Sequence, residues 1–129
     1  MANWLFKSEP DIYSYEDLVR DRTTVWDGVS SALAKKHLRA LKPGDRVWLY
    51  HTGKEKAIVA EIRVRSLTVE ADGGVTVEVE PGRKLPRPVT LAAIRGNETL
   101  AGWDLVRLPR LSVMPTTDAQ WAEVERMGA

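Results

Sequence analysis

The sequence predicts an α+β domain built on a small, mostly antiparallel β-sheet or barrel flanked by short helices. Three observations point there. Arg46–His51, Ala57–Arg65 and Val75–Glu80 alternate apolar and polar residues with a period of two, as strands do. Asp72-Gly73-Gly74 sits between two such runs as a hairpin signal. The strand-like runs are interrupted by short segments that carry helix caps.

Taken in order, Trp4-Leu5-Phe6-Lys7-Ser8 reads as a short strand, ended by Glu9-Pro10 because proline restricts the residue before it and cannot donate to a ladder. Ser14 is an N-cap for a helix reaching about Asp21, with Glu16 and Asp17 favourably placed in its first turn. Thr23–Trp26 is β-prone and runs into the turn signal Asp27-Gly28. From Ser31 to Leu41 the period is helical: Ala34, Leu38 and Leu41 make an apolar stripe, and Lys35, Arg39 and Lys42 a basic one. Lys42-Pro43-Gly44-Asp45 stops that helix. In the strand that follows, Val47 and Leu49 oppose Trp48 and Tyr50; in the next, Ile58, Ala60, Ile62 and Val64 oppose Val59, Glu61, Arg63 and Arg65. Leu67–Glu70 and Val75–Glu80 flank the hairpin, and such one-sided strands fit a sheet with a single core face. Arg83–Val89 reads as a basic, proline-containing extended connector. Thr90 caps a short helix over Leu91–Ile94, and Asn97 caps another over Glu98–Ala101. Leu111–Pro115 reads as a final strand, and Thr117 with Gln120 forms a capping box for a terminal helix carrying Trp121 and Val124.

At 129 residues one domain over 1–129 is expected, large enough for a core without staples. The chain has no cysteine, which excludes disulfides, thiolate metal sites and cysteine nucleophiles and suits a reducing compartment. Without a signal-like N-terminus or a long apolar run, a soluble cytoplasmic protein with no membrane partner is expected. The net charge of +1 argues against a clamp that neutralises many phosphates. Basic residues nevertheless gather in two stretches, Lys35–Arg46 and Arg83–Arg110, while acids concentrate in Glu55–Glu80.

Signatures of catalysis are mostly missing. His37 and His51 have no second ligand at metal spacing, no serine sits in a nucleophile elbow, and no phosphate-cradling glycine loop occurs. His37 reads as a surface residue. His51, at a strand end, is the better functional candidate, though a structural role is the more ordinary one for it too. What the chain does carry is aromatic: five tryptophans against one phenylalanine. Trp26 stands out because the turn after it leaves its ring free to line a cleft, where stacking on a base contributes roughly 1–3 kcal/mol; a plain core position is its ordinary alternative. Trp4, Trp103 and Trp121 read as core, and Trp48 is ambiguous because it shares a face with Tyr50.

One further observation concerns whole motifs. Trp4-Leu5-Phe6-Lys7-Ser8-Glu9-Pro10, Trp26-Asp27-Gly28-Val29, Lys42-Pro43-Gly44-Asp45, Ile58–Ile62, Arg87–Leu91 and Arg110–Pro115 together resemble, in order and over nearly the whole chain, the EVE domain family. The resemblance implies a PUA-like fold, a small barrel flanked by helices, similar to the YTH domains that hold a methylated adenine in an aromatic cage. It implies a non-catalytic module that binds DNA or RNA carrying a modified base, a modified cytosine above all, with no cofactor and no metal. Carried onto this chain, Trp26 matches the cage tryptophan, Asp27 follows it where main-chain contacts fall, Lys7, Ser8 and Glu9 match pocket-edge positions, and Tyr50, His51 and Thr52 close the pocket. Lys35, Lys36, Arg39, Arg83, Lys84 and Arg87 would touch flanking phosphates, which position a strand without reading it. The base would arrive unstacked or flipped.

The sequence departs from the family twice. An Asn-Tyr-Gln-Ala-Arg-like stretch is replaced by Ser30–Lys35, and the segment between Arg65 and Val75 is short where others carry a loop with extra aromatics. Both bear on ligand identity, not on fold. A binder of a free nucleobase or metabolite is the second reading, favoured by the near-zero charge. A nucleic-acid-processing enzyme is the third, with His51 and Glu9 as its candidate bases, and a separate nuclease is a conceivable partner.

Overall fold

The computed structural model describes residues 2–26, 32–71 and 74–129. Along these the elements run β1 (Asn3–Ser8), α1 (Tyr15–Asp21), β2 (Thr24–Trp26), α2 (Ala32–Ala40), β3 (Arg46–His51), β4 (Ala57–Val69), β5 (Val75–Thr90), α3 (Leu91–Arg95), α4 (Asp104–Arg107), β6 (Val113–Thr116) and α5 (Asp118–Met127). The strands form one sheet in the order β2-β5-β4-β3-β1-β6. Among the described strands only the β1–β3 pair is parallel.

The sheet curls hard. Between β2 and β1 lie β5, β4 and β3, which would separate them by about 19 Å on a flat sheet. Yet the rings of Trp26 on β2 and Phe6 on β1 are 5.4 Å apart. Helix α2 packs on both β5 and β6 and buries Ala34 and Leu38 across the opening. No described pairing joins the two edges β2 and β6, so the expected PUA-like barrel is a curled sheet plugged by a helix rather than a hydrogen-bonded cylinder.

The caps act as the sequence predicts. Ser14 and Asp17 form a reciprocal capping box on α1, and Thr117 and Gln120 form another on α5. Thr90 caps α3 through the Ala93 amide. Gly44, at φ +91°, makes the turn that ends the α2 region possible.

Four expectations are corrected. β3 is buried on both faces, because α5 lays Trp121 on the outer side, where its ring stacks on fully buried Trp48 at 4.0 Å. The stretch Arg83–Val89 is not a connector but part of the sixteen-residue β5. Its prolines survive because between Ile58↔Val89 and Ala60↔Lys84 strand β5 advances five residues while β4 advances two, a bulge that needs no ladder donor. Gly82 lies where the strands press closest: a Cβ there would sit 2.7 Å from the Glu61 carbonyl oxygen. Asn97 starts turns, not a helix, its carbonyl accepting from the Leu100 and Ala101 amides, and the helix comes later as α4. His37 is half-buried against the Trp4 ring at 5.9 Å, and burial lowers its pKa. The hairpin expected at Asp72-Gly73-Gly74 closes through Glu70 N–H to Gly74 C=O at 2.7 Å; Asp72 and Gly73 lie outside the described residues.

Candidate functional site

Trp26 ends the short edge strand β2, opposite buried Val77 of β5. That register turns its ring inward onto Phe6, at an interplanar angle of 39°, while Val25 before it points to solvent at 53 % exposure. The ring stays half-buried, at the margin of the core rather than within it. Asp27 lies outside the described residues.

The other residues that the resemblance assigns to one pocket divide among several places. Ser8 lies on the same face of β1 as Phe6, and its hydroxyl donates to the Tyr13 carbonyl at 2.6 Å. Its own carbonyl accepts from the Thr52 amide at 2.9 Å, tying the ends of β1 and β3 together. Exposed Glu9 and half-buried Thr52 line a cleft with Pro10, Asp11, Gly53, Lys54 and Glu55, of about 300 Å³. Lys7 follows Phe6 and so projects to the opposite face. There its ammonium donates to the Pro109 carbonyl at 2.7 Å and lies 5.7 Å from the centre of the Tyr50 ring, its partner across β1–β3.

His51 is 3 % exposed and holds α1 in place. Its Nε2 accepts the Tyr15 backbone N–H at 3.1 Å, which puts the ring proton on Nδ1, facing Glu55 Oε1 at 3.1 Å. The first turn of α1 thereby gives one of its orphan amides to a side chain from β3. We expect His51→Phe to fill the same space, strand that buried amide, and lower unfolding free energy by about 1–3 kcal/mol, read as a fall in the urea midpoint.

The two basic stretches fare differently. Arg83 is engaged by Glu61 at 3.2 Å and Glu125 at 2.6 Å, and Lys84 by Glu16 at 2.8 Å, so the β5 stretch is largely neutralised within the fold. The Lys84 contact lowers the Glu16 pKa. Arg87 is exposed and sits in the β5 bulge, its amide donating to Gly128 C=O. On α2, Lys35, Lys36 and Arg39 all face solvent, and the two lysines form no ion pair with a described residue.

Two further concavities stand beside these; of their residues the sequence reading assigned only Lys7, Tyr50 and Thr52, which the fold does bring together in the second. Leu33 of α2 and the segment Arg107–Leu111 border an open apolar depression of about 400 Å³ that includes Arg107 and Arg110. On the far side of Pro109, Lys7, Tyr50, Lys56 and Arg95 meet around a smaller pocket of about 170 Å³. Lys56 and Arg95 are more than thirty residues apart in the chain, so no local motif signals them. Among the described residues no three His, Asp or Glu side chains converge as metal ligands, and no helix is long and apolar enough to cross a membrane.

The family model for the EVE domain matches residues 2–127. The chain belongs to the EVE family. Its fold is similar, at a TM-score of 0.93, to that of the protein Rpa0253 from Rhodopseudomonas palustris solved by NMR, with 36 % identity over 99 % of this chain and 93 % of that one. Human thymocyte nuclear protein 1, solved in complex with 5-methylcytosine-containing DNA, is similar at a TM-score of 0.91 and 25 % identity, over 99 % of this chain and 98 % of the solved one. Chicken thymocyte nuclear protein 1 is 36 % identical over 75 residues, which are 49 % of this chain and 31 % of that protein. The matched stretch is thus under a third of the length of that curated relative.

Proposed function

We propose that this EVE domain is a non-catalytic reader that holds a modified base, a methylated cytosine first among them, against the half-exposed ring of Trp26. The observation that carries the proposal is the human relative solved with 5-methylcytosine DNA, whose fold this chain matches over nearly its whole length. Trp26 suits the task physically. Its ring is fixed from behind by Phe6 and from the side by the β2–β5 ladder, so stacking costs it little further rotamer entropy. Ser8, on the same face, is held by the β1–β3 junction at the strand end.

A non-catalytic role is supported by His51, whose Nε2 lone pair is occupied by a buried amide and is not free to take a proton. The cysteine-free chain suits the cytoplasm. A free nucleobase or metabolite is a second reading, favoured by the net charge of +1 and by the internal pairing of Arg83 and Lys84.

Tryptophan fluorescence titrated with short single- and double-stranded oligonucleotides, bearing cytosine or 5-methylcytosine, decides between them. The reader should prefer the methylated strand by roughly 5-fold or more, with affinity falling as salt rises with a log–log slope of about −2 to −3, the mark of few phosphate contacts. Salt-independent binding of a free methylated base, with no binding of any oligonucleotide, would move the assignment to the second reading.

A further inference from the structure

Among the described residues Arg20, Arg63, Arg65, Arg83, Arg107 and Arg126 form ion pairs within the fold. The pocket beyond Pro109 holds none of these pairs. Lys7, Lys56 and Arg95 line it together with Tyr50, Thr52, Gly53, Leu91, Leu105 and Pro109, and no carboxylate is among its walls. None of the three cations forms an ion pair with a described residue. Three like charges facing one concavity repel one another unless an anion sits between them. Lys7 bears the largest share of that cost, since its half-buried ammonium has a single neutral carbonyl as hydrogen-bond acceptor.

We propose that the pocket walled by Lys7, Tyr50, Lys56 and Arg95 is a phosphate-binding subsite, separate from the Trp26 ring. The chemistry matches a tetrahedral anion. Arg95 supplies a planar fork, Lys7 and Lys56 supply point charges from other sides, and the Tyr50 hydroxyl lies within the field of Arg95. The pocket, at about 170 Å³, is too small for a stacked base with its sugar but takes a phosphate group with part of its hydration. Different elements fix each wall: Lys7 leaves β1, Tyr50 leaves β3, Lys56 stands at φ +45° just before β4, and Arg95 ends α3. The Lys56 carbonyl accepts the Leu91 amide at 2.7 Å, which locks the Lys56 backbone to the start of the helix carrying Arg95. Burial lowers the Lys7 pKa, and an anion in the pocket would oppose that shift by favouring the ammonium.

The site does not depend on a base reaching Trp26, and the test separates the two. Wild-type protein is titrated with inorganic phosphate and with a short abasic phosphodiester strand, which has a backbone and no bases. Amide and arginine side-chain NMR signals are followed in wild type, in Lys56→Gln/Arg95→Gln and in Trp26→Ala. Both altered cations are exposed, so the double variant should fold; its amide spectrum checks this. Saturable shifts at Lys7, Lys56 and Arg95, weakened roughly 10-fold in the double variant and unchanged in Trp26→Ala, are expected. Saturation by inorganic phosphate alone would assign the site to free phosphate, and saturation by the abasic strand to a nucleic-acid backbone. Failure of both probes to shift these residues, or equal binding by the double variant, overturns the proposal.

Discussion

Asp45→Ala should be among the most damaging single substitutions in this chain, lowering unfolding free energy by about 3 kcal/mol and Tm by on the order of 12 °C. Asp45 is 4 % exposed, and its carboxylate accepts three N–H groups from two separate segments. The Trp4 indole donates to Oδ2 at 3.0 Å, the Lys42 amide to Oδ2 at 2.9 Å, and the Ala2 amide to Oδ1 at 3.1 Å. One side chain thereby joins the start of β1, the end of the α2 region and the start of β3. Alanine removes both acceptor oxygens and with them all three bonds, and leaves a buried indole N–H without a partner. Asp45→Asn keeps the shape and one acceptor oxygen, so about half the loss is expected. Glu98→Ala, in an exposed turn, should stay within about 0.5 kcal/mol. Thermal and urea unfolding measure all three, and a wild-type Tm for Asp45→Ala would show that these bonds contribute nothing net.

Asp45 also marks the boundary of what the sequence discloses. Lys42-Pro43-Gly44-Asp45 is legible as a helix stop, because proline and glycine punctuate locally. That its last residue collects donors forty residues away is not, since hydrogen bonds of that separation leave no periodic trace. The same division runs through the fold. Caps at Ser14, Thr90 and Thr117 are short-range chemistry and read correctly from neighbours alone. The burial of Trp48 is long-range: nothing in Arg46–His51 says that α5 will cover its outer side, and alternation with one core face is the default until that helix arrives. The β5 bulge hides for the opposite reason, because Pro86 and Pro88 read as a break in any local rule.

The candidate site divides in the same way. Trp26 is legible because an aromatic before a turn at the end of a β-prone run is a local feature. The motif Lys7-Ser8-Glu9 is legible as a string, yet strand pleat sends its neighbours to opposite faces, Ser8 with Phe6 and Lys7 with Tyr50. The cationic pocket needs Lys7, Tyr50, Lys56 and Arg95 from separate elements and becomes visible only in the assembled fold. The apparent basic stretch Arg83–Arg87 was legible as charge but not as charge already spent on Glu16, Glu61 and Glu125.

Trp26→Ala should abolish methylated-base selectivity and weaken binding of a 5-methylcytosine strand by roughly 5- to 150-fold, the range that loss of one aromatic–base stack predicts. The variant should remain folded. Trp26 is half-buried at the end of a three-residue edge strand, so its removal opens the rim of the core and creates no closed cavity. Trp26→Phe retains a smaller π-face resting on Phe6 and should fall between wild type and alanine. Val25→Ala is the matched control: it lies one residue away on the same strand, faces solvent, and leaves the Trp26 register on Val77 intact. Titrations of all four proteins by anisotropy of a labelled strand avoid relying on the fluorescence of the residue being removed. Because Trp26 and the Lys7–Lys56–Arg95 pocket have separate walls, their effects should be nearly additive in free energy, with Trp26→Ala changing selectivity at constant salt slope and Lys56→Gln/Arg95→Gln changing the slope at constant selectivity. Equal binding of the methylated strand by wild type and Trp26→Ala would remove this ring from the site and leave the phosphate pocket to stand or fall on its own test.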